Sequence, residues 1–325
     1  MITKAILLVG GKGTRLMPLT TTTPKPMLRI AGAPVTEHQI IKAREAGIRE
    51  IVLATSYLAE VFEPYFGDGS NFGIRIRYSV EQEPLGTGGA IAHAAKQLHL
   101  EHGEHFFVFN GDVISAHDLN LQSELHQRTQ SHATLHLVSV DDARAYGCVP
   151  VDESGRVLQF LEKMENPIAD TINAGCYILN QEIVKSMKPG AVVSVERETF
   201  PQLLESGVRV SGYVDSKYWI DMGTPQSLIQ ASRDLILQPD RTALRVNPTN
   251  NAVISPTAKV DPNSIIDGGS FVDEVAIIGA EAIVRGSIIS PGVIIEPRVV
   301  IIDSFIAPNT RVVSGSSLSN EIFGY

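Results

Sequence analysis

The feature that most restricts the fold of this chain is a six-residue repeat in its C-terminal quarter. Aliphatic residues stand six positions apart at Ile254, Val260, Ile266, Val272, Ile278 and Val284. Four residues after each comes a small or branched residue, namely Ala258, Ser264, Ser270, Ala276, Ala282 and Ile288. After a slip of one residue the period resumes at Ile289, Ile295 and Ile301. Such hexapeptides wind into a β-helix with one inward side chain per strand. We predict a short left-handed parallel β-helix of about three coils, whose open end needs a partner or a cap.

The preceding residues alternate between buried-strand and helix patterns. Strand patterns occur over residues 2–9, which contain AILLV, and at REIVLAT (49–55), FGIRIRYSVE (72–81) and HFFVFNGDVI (105–114). Helix patterns lie between them at APVTEHQIIKAREAGI (33–48) and GTGGAIAHAAKQLHL (86–100). Later strands are expected at ATLHLVSV (133–140), around a hairpin at Ser154-Gly155, at INAGCYILN (172–180) and within 208–223. This alternation predicts an α/β fold, a doubly wound Rossmann-like mixed sheet.

A polar, proline-containing stretch then separates the two patterns and reads as a linker. We therefore predict a catalytic domain over residues 1–237, a linker over 238–252 and the hexapeptide-repeat β-helix over 253–325. Because short β-helices leave an open end, we expect homo-oligomers formed through the last domain.

Composition excludes several classes of protein. The formal charge of −9 argues against nonspecific nucleic-acid binding. No apolar stretch approaches the roughly 18 residues that cross a bilayer, and the N-terminus does not resemble a signal peptide. The two cysteines have no metal-ligand or disulfide spacing, which favours a reducing cytoplasm. A phosphate-binding surface must then be a local basic patch, and the opening segment supplies one with Lys12, Arg15, Lys25 and Arg29.

The first strand ends in a glycine-rich loop, GGKGTRL, which differs from both the dinucleotide-binding and the Walker A patterns. Glycines let backbone N–H groups approach phosphate oxygens closely. Arg15 and Lys25 add positive charge, and Pro24 and Pro26 stiffen the chain around Lys25. The combination indicates a polyphosphate site. The alternative is a tight turn with two solvated basic residues. The predicted loop residues on the nucleotide are Val9, Gly10, Gly11, Gly13 and Thr14.

Two aspartates are candidate metal ligands. Asp112 follows a buried strand, at the edge where α/β sheets bind ligands, and Asp221 also follows an apolar strand. Bringing two phosphates together requires a cation, and Mg²⁺ takes few protein carboxylates plus substrate oxygens. The alternatives are a turn residue at Asp112 and a helix cap at Asp221, ahead of Pro225.

The motifs together resemble the nucleotide-sugar pyrophosphorylases, the sugar-1-phosphate nucleotidylyltransferases. In family order these motifs are GGKGTRLMPLTTTTPKPM, EQEPLGTGGA, FNGD, FLEK, NAGCYIL, VERETFP and WIDMGTP. Within the family, the pattern is most similar to the bacterial mannose-1-phosphate guanylyltransferases. The resemblance implies that a sugar 1-phosphate attacks the α-phosphorus of a nucleoside triphosphate in line, giving a nucleotide sugar and pyrophosphate. Positioning and charge neutralisation carry such a reaction.

The resemblance also implies the roles of individual residues. It places Arg15 and Lys25 on the leaving pyrophosphate, Lys163 on the sugar phosphate, and Mg²⁺ on Asp112 and Asp221. The implied base-side residues are Glu81, Pro84, Gly86, Thr87, Gly88 and Asn110. The implied sugar-side residues are Gly147, Glu162, Lys163, Asn173, Gly175 and Glu196.

The identity of residue 81 bears on the choice of nucleotide. A carboxylate only accepts hydrogen bonds, and the Watson–Crick edge of guanine offers two adjacent donors. Glu81 therefore favours GTP, whereas an amide would suit uracil better; a solvated Glu81 is the alternative. The exact sugar stays open at this point, with mannose 1-phosphate expected. The competing substrates are UTP or dTTP with glucose 1-phosphate, and GTP with a heptose or cyclitol phosphate.

Two other classes of function are less consistent with the sequence. Hexapeptide β-helices often carry acyltransferase activity, which needs a base such as histidine. All nine histidines lie between His38 and His136, outside the linker and the repeat. A non-catalytic sugar-nucleotide sensor would be expected to lose part of the glycine loop, the arginine or a metal acid. This chain keeps all of them.

Overall fold

The computed structural model describes residues 1–161, 164–187 and 190–325. Up to residue 237 its strands are β1 (Lys4–Leu8), β2 (Arg29–Ile30), β3 (Ala33–Pro34), β4 (Glu50–Thr55), β5 (Arg75–Val80), β6 (His105–Asn110), β7 (Val113–Ser115), β8 (Ala133–Ser139), β9 (Thr171–Asn180), β10 (Val210–Asp215) and β11 (Trp219–Asp221). Its α-helices are α1 (Val35–Glu45), α2 (Phe62–Phe66), α3 (Gly86–Ala95), α4 (Leu119–Thr129), α5 (Gln181–Ser186), α6 (Phe200–Glu205) and α7 (Pro225–Leu237). A π-helical turn covers Val195–Thr199.

Seven strands form one mixed sheet, in the order β10-β8-β9-β6-β1-β4-β5. All neighbours are parallel except β9, which runs antiparallel to both β6 and β8. In register, Ile6 of β1 lies between Val52 of β4 and Val108 of β6, and all three are fully buried. Such doubly covered parallel strands read as continuous apolar runs. The predicted Rossmann-like mixed sheet is confirmed.

Helices cover both faces of this sheet, and β8 shows how the sequence arranges it. Leu135 and Leu137 belong to the apolar core that includes Ile91 of α3. On the opposite face, the hydroxyl of Thr134 lies 2.7 Å from Nδ1 of His126 in α4. One face of β8 therefore packs in an apolar layer, and the other contacts a buried polar layer, since neighbouring strand residues point to opposite faces.

The β-helix begins at residue 252 and contains thirteen short strands. They are β12 (Ala252–Ile254), β13 (Lys259–Val260), β14 (Ile265–Asp267), β15 (Ser270–Val272), β16 (Ile277–Ile278), β17 (Ile283–Arg285), β18 (Ile288–Ile289), β19 (Ile294–Ile295), β20 (Val300–Ile302), β21 (Phe305–Ile306), β22 (Arg311–Val312), β23 (Ser317–Ser319) and β24 (Ile322–Phe323). Three parallel sheets of five, four and four strands enclose the aliphatic core that the six-residue period predicts. The left-handed β-helix is confirmed.

The β-helix is longer than predicted, because its repeat slips more than once. Three strands make a coil, so the thirteen strands give four coils and one further strand, where three coils were expected. Between the paired positions Asp267 and Phe271 lie three residues, which include Gly268 and Gly269. In each of the next three corners the equivalent positions are separated by two residues, the first of which is Gly286, Asp303 or Asn320. The five corner residues named here have positive φ. A six-residue period with a single slip does not extend past the second slip, so the sequence pattern did not predict the last coil.

Contacts among the described residues group the chain into two compact units. The sheet unit consists of Met1–Gly11, Ile40–Val113 and His117–Trp219, and the β-helix unit of Lys12–Gln39, Ile114–Ala116 and Ile220–Tyr325. The β-helix unit thus includes Arg15, Lys25 and Asp221 as well as the repeat. The domain boundaries at residues 237 and 252 stay a prediction. None of the helices in the described ranges is long and apolar enough to span a bilayer.

Candidate active site

In the sheet unit, the glycine loop is held by the ends of two neighbouring strands. Val9 is fully buried and donates its N–H to Ala54 O at 3.0 Å. The N–H of Gly11 donates to the Ser56 hydroxyl at 3.3 Å. A Cβ on Gly10 would lie 2.7 Å from the same hydroxyl, so only glycine fits there without a shift. The backbone of this loop is therefore exposed at its tip and fixed at its base.

In the β-helix unit, the loop continues into a short 3₁₀ turn, Thr14–Leu16. Gly13 has φ +57, and Thr20 donates its hydroxyl to Gly13 O at 3.0 Å. The side chain of Arg15 is exposed, and its guanidinium lies against the backbone of Gly223, 3.0 Å from where a Cβ would stand. A side chain at position 223, two residues after Asp221, would therefore crowd the guanidinium of Arg15.

The same unit brings Lys25 and Asp221 together. Lys25 opens the 3₁₀ turn Lys25–Met27 between two prolines, and it is 8% exposed. Its Nζ lies 3.6 Å from Oδ1 of Asp221, the last residue of β11. Such a nearly buried ammonium needs an opposite charge, and Asp221 supplies it.

The structure excludes the helix-cap alternative for Asp221. The N-cap of α7 is Thr224, whose hydroxyl accepts from Ser227 N at 3.1 Å within a capping box. Pro225 occupies the first helical position. Asp221 is thus not the helix cap, and its carboxylate faces Lys25.

Asp112 and Asn110 lie at the carboxyl end of β6, in the sheet unit. Gly111 N donates to Leu8 O at 2.9 Å, which joins this end to the end of β1. Asp112 is half-buried directly after this contact. The side chain of Asn110 packs against Gly175, where a Cβ would stand 3.0 Å from the amide. A residue predicted on the nucleotide side therefore contacts one predicted on the sugar side.

A buried phenol connects several of these side chains, and the sequence analysis missed it. Tyr177 Oη accepts from Asn173 Nδ2 at 2.7 Å and lies 3.5 Å from Glu196 Oε1. Glu196 Oε2 accepts from the hydroxyl of Thr87 at 2.8 Å. Tyr177 is fully buried, and burial raises its pKa well above the usual value. It is a neutral hydroxyl that links Asn173 and Glu196. The only indication in the sequence is its position in NAGCY, and a tyrosine there is equally consistent with a place in the apolar core.

The segment after β5 holds Glu81 in place. Glu81 N donates to Thr55 O at 2.9 Å, and Glu81 Oε2 accepts from Leu85 N at 3.1 Å. Burial raises the pKa of Glu81, while the Leu85 N–H and His93 oppose the rise. Pro84 is exposed beside it.

The start of α3 contacts a backbone carbonyl. Gly86 has φ +70, and a Cβ there would lie 2.5 Å from Val193 O. Gly88 N donates to Val193 O at 2.8 Å, and Val195 N donates to the Thr87 hydroxyl at 2.9 Å. Some of the backbone N–H groups at the N-terminus of α3 therefore donate hydrogen bonds within the protein.

The remaining predicted residues are divided between the described and the undescribed parts of the chain. Gly147 is buried with φ +79, after the 3₁₀ turn Ala143–Ala145. Tyr146 is 43% exposed and touches the edge of Trp219, whose Nε1 donates to Ala174 O at 3.0 Å. The bond to Ala174 makes Trp219 a structural support. Glu162 and Lys163 lie outside the described residues.

Arg29 differs from the expectation of a free basic patch. Its Nε lies 2.8 Å from Oδ2 of Asp273 in the β-helix, and its Nη2 lies 3.5 Å from Glu274 Oε1 and donates to Gly32 O at 3.0 Å. Its charge is thus neutralised within the chain. Of the four basic residues in the opening segment, Arg29 is not placed to bind a phosphate.

Among the described residues, no group of three or more His, Cys, Asp or Glu side chains could hold a metal ion. Mg²⁺ commonly takes one or two carboxylates and completes its shell with water and substrate phosphates. Asp112, two residues after β6, and Asp221, the last residue of β11, stay the predicted carboxylates.

Comparisons with known proteins are consistent with this arrangement. Residues 4–238 match the family described as Nucleotidyl transferase. The chain is 50% identical over 233 residues to the mannose-1-phosphate guanylyltransferase of Mycobacterium tuberculosis, covering 71% of this chain and 64% of that protein. It is 36% identical over 266 residues to the mannose-1-phosphate guanyltransferase of Saccharomyces cerevisiae, covering 79% of this chain and 72% of that protein.

A solved structure supports the fold. HddC from Yersinia pseudotuberculosis complexed with GMP-PN is 28% identical, with a TM-score of 0.61, covering 72% of this chain and 100% of that one. The chain spans less than two thirds, 64%, of the mycobacterial relative's length. On these matches, the chain belongs to the nucleotidyl transferase family.

Proposed function

We propose that this protein transfers GMP from GTP to mannose 1-phosphate, forming GDP-mannose and pyrophosphate. The observation that carries the proposal is the 50% identity over 233 residues to a mannose-1-phosphate guanylyltransferase. The retained Arg15, Lys25, Asp112 and Asp221 support catalysis over a sensing role, since a sensor would not need the cations and acids of phosphoryl transfer.

The reaction needs positioning and charge neutralisation more than covalent chemistry. A phosphate oxygen of the sugar phosphate attacks the α-phosphorus, and the bond to pyrophosphate breaks. We propose that Arg15, Lys25 and the amides of the glycine loop neutralise the leaving pyrophosphate. Lys163, which lies outside the described residues, would hold the phosphate of the sugar.

The family generally needs a divalent metal, and we propose that it is Mg²⁺, held by Asp112 and Asp221. The bound ion would neutralise the phosphate charge that develops during transfer. Asp221 would then serve two cations, since its Oδ1 also lies 3.6 Å from Lys25 Nζ. The cytoplasmic location and the oligomer formed through the β-helix stay predictions from the sequence.

We propose that Glu81, Pro84, Gly86, Thr87, Gly88 and Asn110 line the base and ribose. The sugar would contact Gly147, Glu162, Asn173, Gly175 and Glu196. The bond that Glu81 accepts from Leu85 N fixes its carboxylate in one orientation. A carboxylate held in one orientation suits the paired donors of guanine.

The test of this function is pyrophosphate release across four nucleoside triphosphates and a panel of sugar 1-phosphates. The expected result is the highest kcat/KM for GTP with mannose 1-phosphate. Faster turnover of UTP or dTTP with every sugar would contradict the assignment of GTP. A preference for GTP with a heptose or cyclitol phosphate would replace only the sugar.

Glu81→Gln tests the base contact directly. We expect kcat/KM for GTP to fall about ten- to a hundredfold, because one acceptor becomes a donor facing a guanine donor and each hydrogen bond contributes about 1–3 kcal/mol. The matched control is Glu83→Gln, an exposed glutamate two residues away. Equal GTP kinetics in both variants would remove Glu81 from the base site.

Tyr177→Phe tests the buried phenol. We expect KM for the sugar 1-phosphate to rise about tenfold, because Asn173 and Glu196 lose the hydroxyl that links them and an unpaired amide costs about 1–3 kcal/mol. We expect a smaller rise in KM for GTP, because the phenol also contacts Asn110. Tyr213→Phe is a control on the same sheet, since its hydroxyl donates to Asp215 at 3.3 Å. Parallel changes in both KM values would argue for a general structural role instead.

A further inference from the structure

The segment that carries Lys25 is hydrogen-bonded into one piece with the β2–β3 hairpin. Leu28 N donates to Lys25 O at 3.2 Å, and Val35 N donates to Leu28 O at 3.1 Å. The buried hydroxyl of Thr36 donates to Pro26 O at 2.9 Å. A displacement of the hairpin therefore displaces Lys25.

The β-helix holds this hairpin through a nearly buried ion pair. Asp273, which follows β15, has a side chain only 2% exposed, and its Oδ2 lies 2.8 Å from Nε of Arg29. The other oxygen of Asp273 accepts from Glu274 N at 2.8 Å. At the tip of the hairpin, Gly32 packs against Val253, 3.5 Å from where a Cβ would stand. The carboxylate of Asp273 is thus fixed on the β-helix, with Arg29 as its cation.

Asp221 is held by the same β-helix through α7. The capping box at Thr224 joins β11 to α7. Further along α7, the Ser232 hydroxyl accepts from Ala31 N, in the hairpin turn, at 3.0 Å, and both groups are buried. The next residue, Arg233, lies 3.0 Å from Asp303 of the β-helix and packs closely on Gly269. The two elements that carry Lys25 and Asp221 therefore contact each other and the same coils.

We propose that the first coils of the β-helix clamp the β2–β3 hairpin against α7 and so fix the distance between Lys25 and Asp221. Arg29 and Asp273 are then positioning residues for the reaction, acting through Lys25. The inference rests on the proposed function, because it concerns residues that this function places on pyrophosphate and metal. It gives the β-helix a part in catalysis that does not require any chemistry of its own.

The ion pair is suited to this role because of its burial. A carboxylate that is 2% exposed keeps its charge only beside a cation, and burial already raises the pKa of Asp273 against the opposing effect of Arg29. Removing one partner leaves the other poorly compensated. The hairpin then loses its main charged contact with the β-helix, and Lys25 can shift relative to Asp221. Misplacement of reacting groups by about 1 Å can cost a hundredfold in rate.

The experiment compares Asp273→Asn with Asp267→Asn in the full chain. Asp267 pairs with Arg285 at 2.7 Å on the β-helix alone, so it is the matched control for losing an ion pair there. For Asp273→Asn we expect kcat to fall about tenfold with KM for both substrates within twofold, as for a loss of positioning alone. We expect Asp267→Asn to retain wild-type kcat. Equal kcat in the two variants would overturn the proposal.

A second readout needs no substrate and so separates this inference from the proposed function. The readout is hydrogen exchange at the amides of Met27, Leu28 and Ala31, which are all hydrogen-bonded in the structure. We expect the exchange rate to rise at least about tenfold in Asp273→Asn and to stay unchanged in Asp267→Asn. If wild-type enzyme fails to turn over GTP and mannose 1-phosphate, the proposed function fails while this comparison still tests the clamp. Unchanged exchange at these amides would refute the clamp.

Two further variants keep the test decisive if Asp273→Asn folds poorly. Ser232→Ala removes the hydrogen bond between α7 and the hairpin without touching the ion pair, and a smaller fall in kcat with faster exchange at Met27 and Leu28 is expected. The double variant Arg29→Gln with Asp273→Asn removes both charges. Its kcat should be no lower than that of Asp273→Asn alone, because the two residues act as one contact. Additive losses would show that Arg29 acts elsewhere.

Discussion

Asp221→Ala is expected to lower kcat at least about a thousandfold, with folding retained. The metal would lose one of its two protein carboxylates, and metal binding contributes several kcal/mol to the transition state, at 1.36 kcal/mol for each tenfold in rate. Lys25 would also lose the carboxylate 3.6 Å away. Pyrophosphate release and the melting temperature measure the two effects separately.

The control for this variant is Asp215→Asn, since Asp215 is another half-buried aspartate at a strand end. We expect it to retain activity. Asp112→Ala should resemble Asp221→Ala, because the proposal gives the two carboxylates the same role. Near-normal turnover in either alanine variant would remove that residue from the metal site.

The second large effect is a loss of stability in mild acid. Burial lowers the pKa of His126 and His136 to about 3, and lowers that of His117 well below its usual value. The unfolded chain protonates these rings near pH 6.5, so it binds more protons than the folded protein between about pH 6.5 and 3. Their contribution to the free energy of unfolding is complete above pH 6.5 and falls as the pH drops below that value. At pH 5 the loss is about 2 kcal/mol for each of His126 and His136.

The groups around these rings come from several elements. Lys42 Nζ lies 3.0 Å from His117 Nδ1, and Gln122 lies 3.1 Å from its Nε2. His136 stacks on His117 with ring centroids 3.6 Å apart. Burial lowers the pKa of Lys42 to about 8, although Cys176, Asp215 and Asp118 oppose the change. A cation beside two neutral imidazoles further disfavours their protonation.

Urea unfolding at pH 8, 6 and 5 measures this effect, and His136→Phe isolates one ring. Among the described residues, neither ring nitrogen of His136 has a hydrogen-bond partner. The free energy of unfolding of the phenylalanine variant should therefore depend less steeply on pH, by about one proton. The substitution leaves no polar group unpaired. His102→Gln is the control, because His102 is 87% exposed. Stability that is the same at pH 8 and pH 5 would contradict these pKa shifts.

The periodic elements were predictable from the sequence because a buried pattern specifies them. The strand of residues 4–8 and the helix at 35–45 follow from apolar runs and their spacing. The β-helix follows from its six-residue period, but its number of coils does not. A corner that is one residue shorter at Gly286, Asp303 and Asn320 shifts the period without changing the fold.

The site was predictable only where chemistry limits the choice of residue. The glycine loop and the acids at strand ends stand out by type. Tyr177 does not, because an inward tyrosine on a strand also fits an apolar core. The partner of Arg29 is 244 residues away at Asp273, and nothing in either local sequence indicates the pair. Long-range pairing of this kind is set by tertiary contacts, which no local pattern encodes.

The central claim is that Asp112 and Asp221 bind one divalent ion together with both substrates. Crystals grown with Mn²⁺, a non-hydrolysable GTP analogue and mannose 1-phosphate test it by anomalous scattering. We expect a manganese peak at coordinating distance from a carboxylate oxygen of each aspartate and from the α-phosphate. Carboxylates of Asp112 and Asp221 that face different cavities, with the metal on neither or only one, would contradict it.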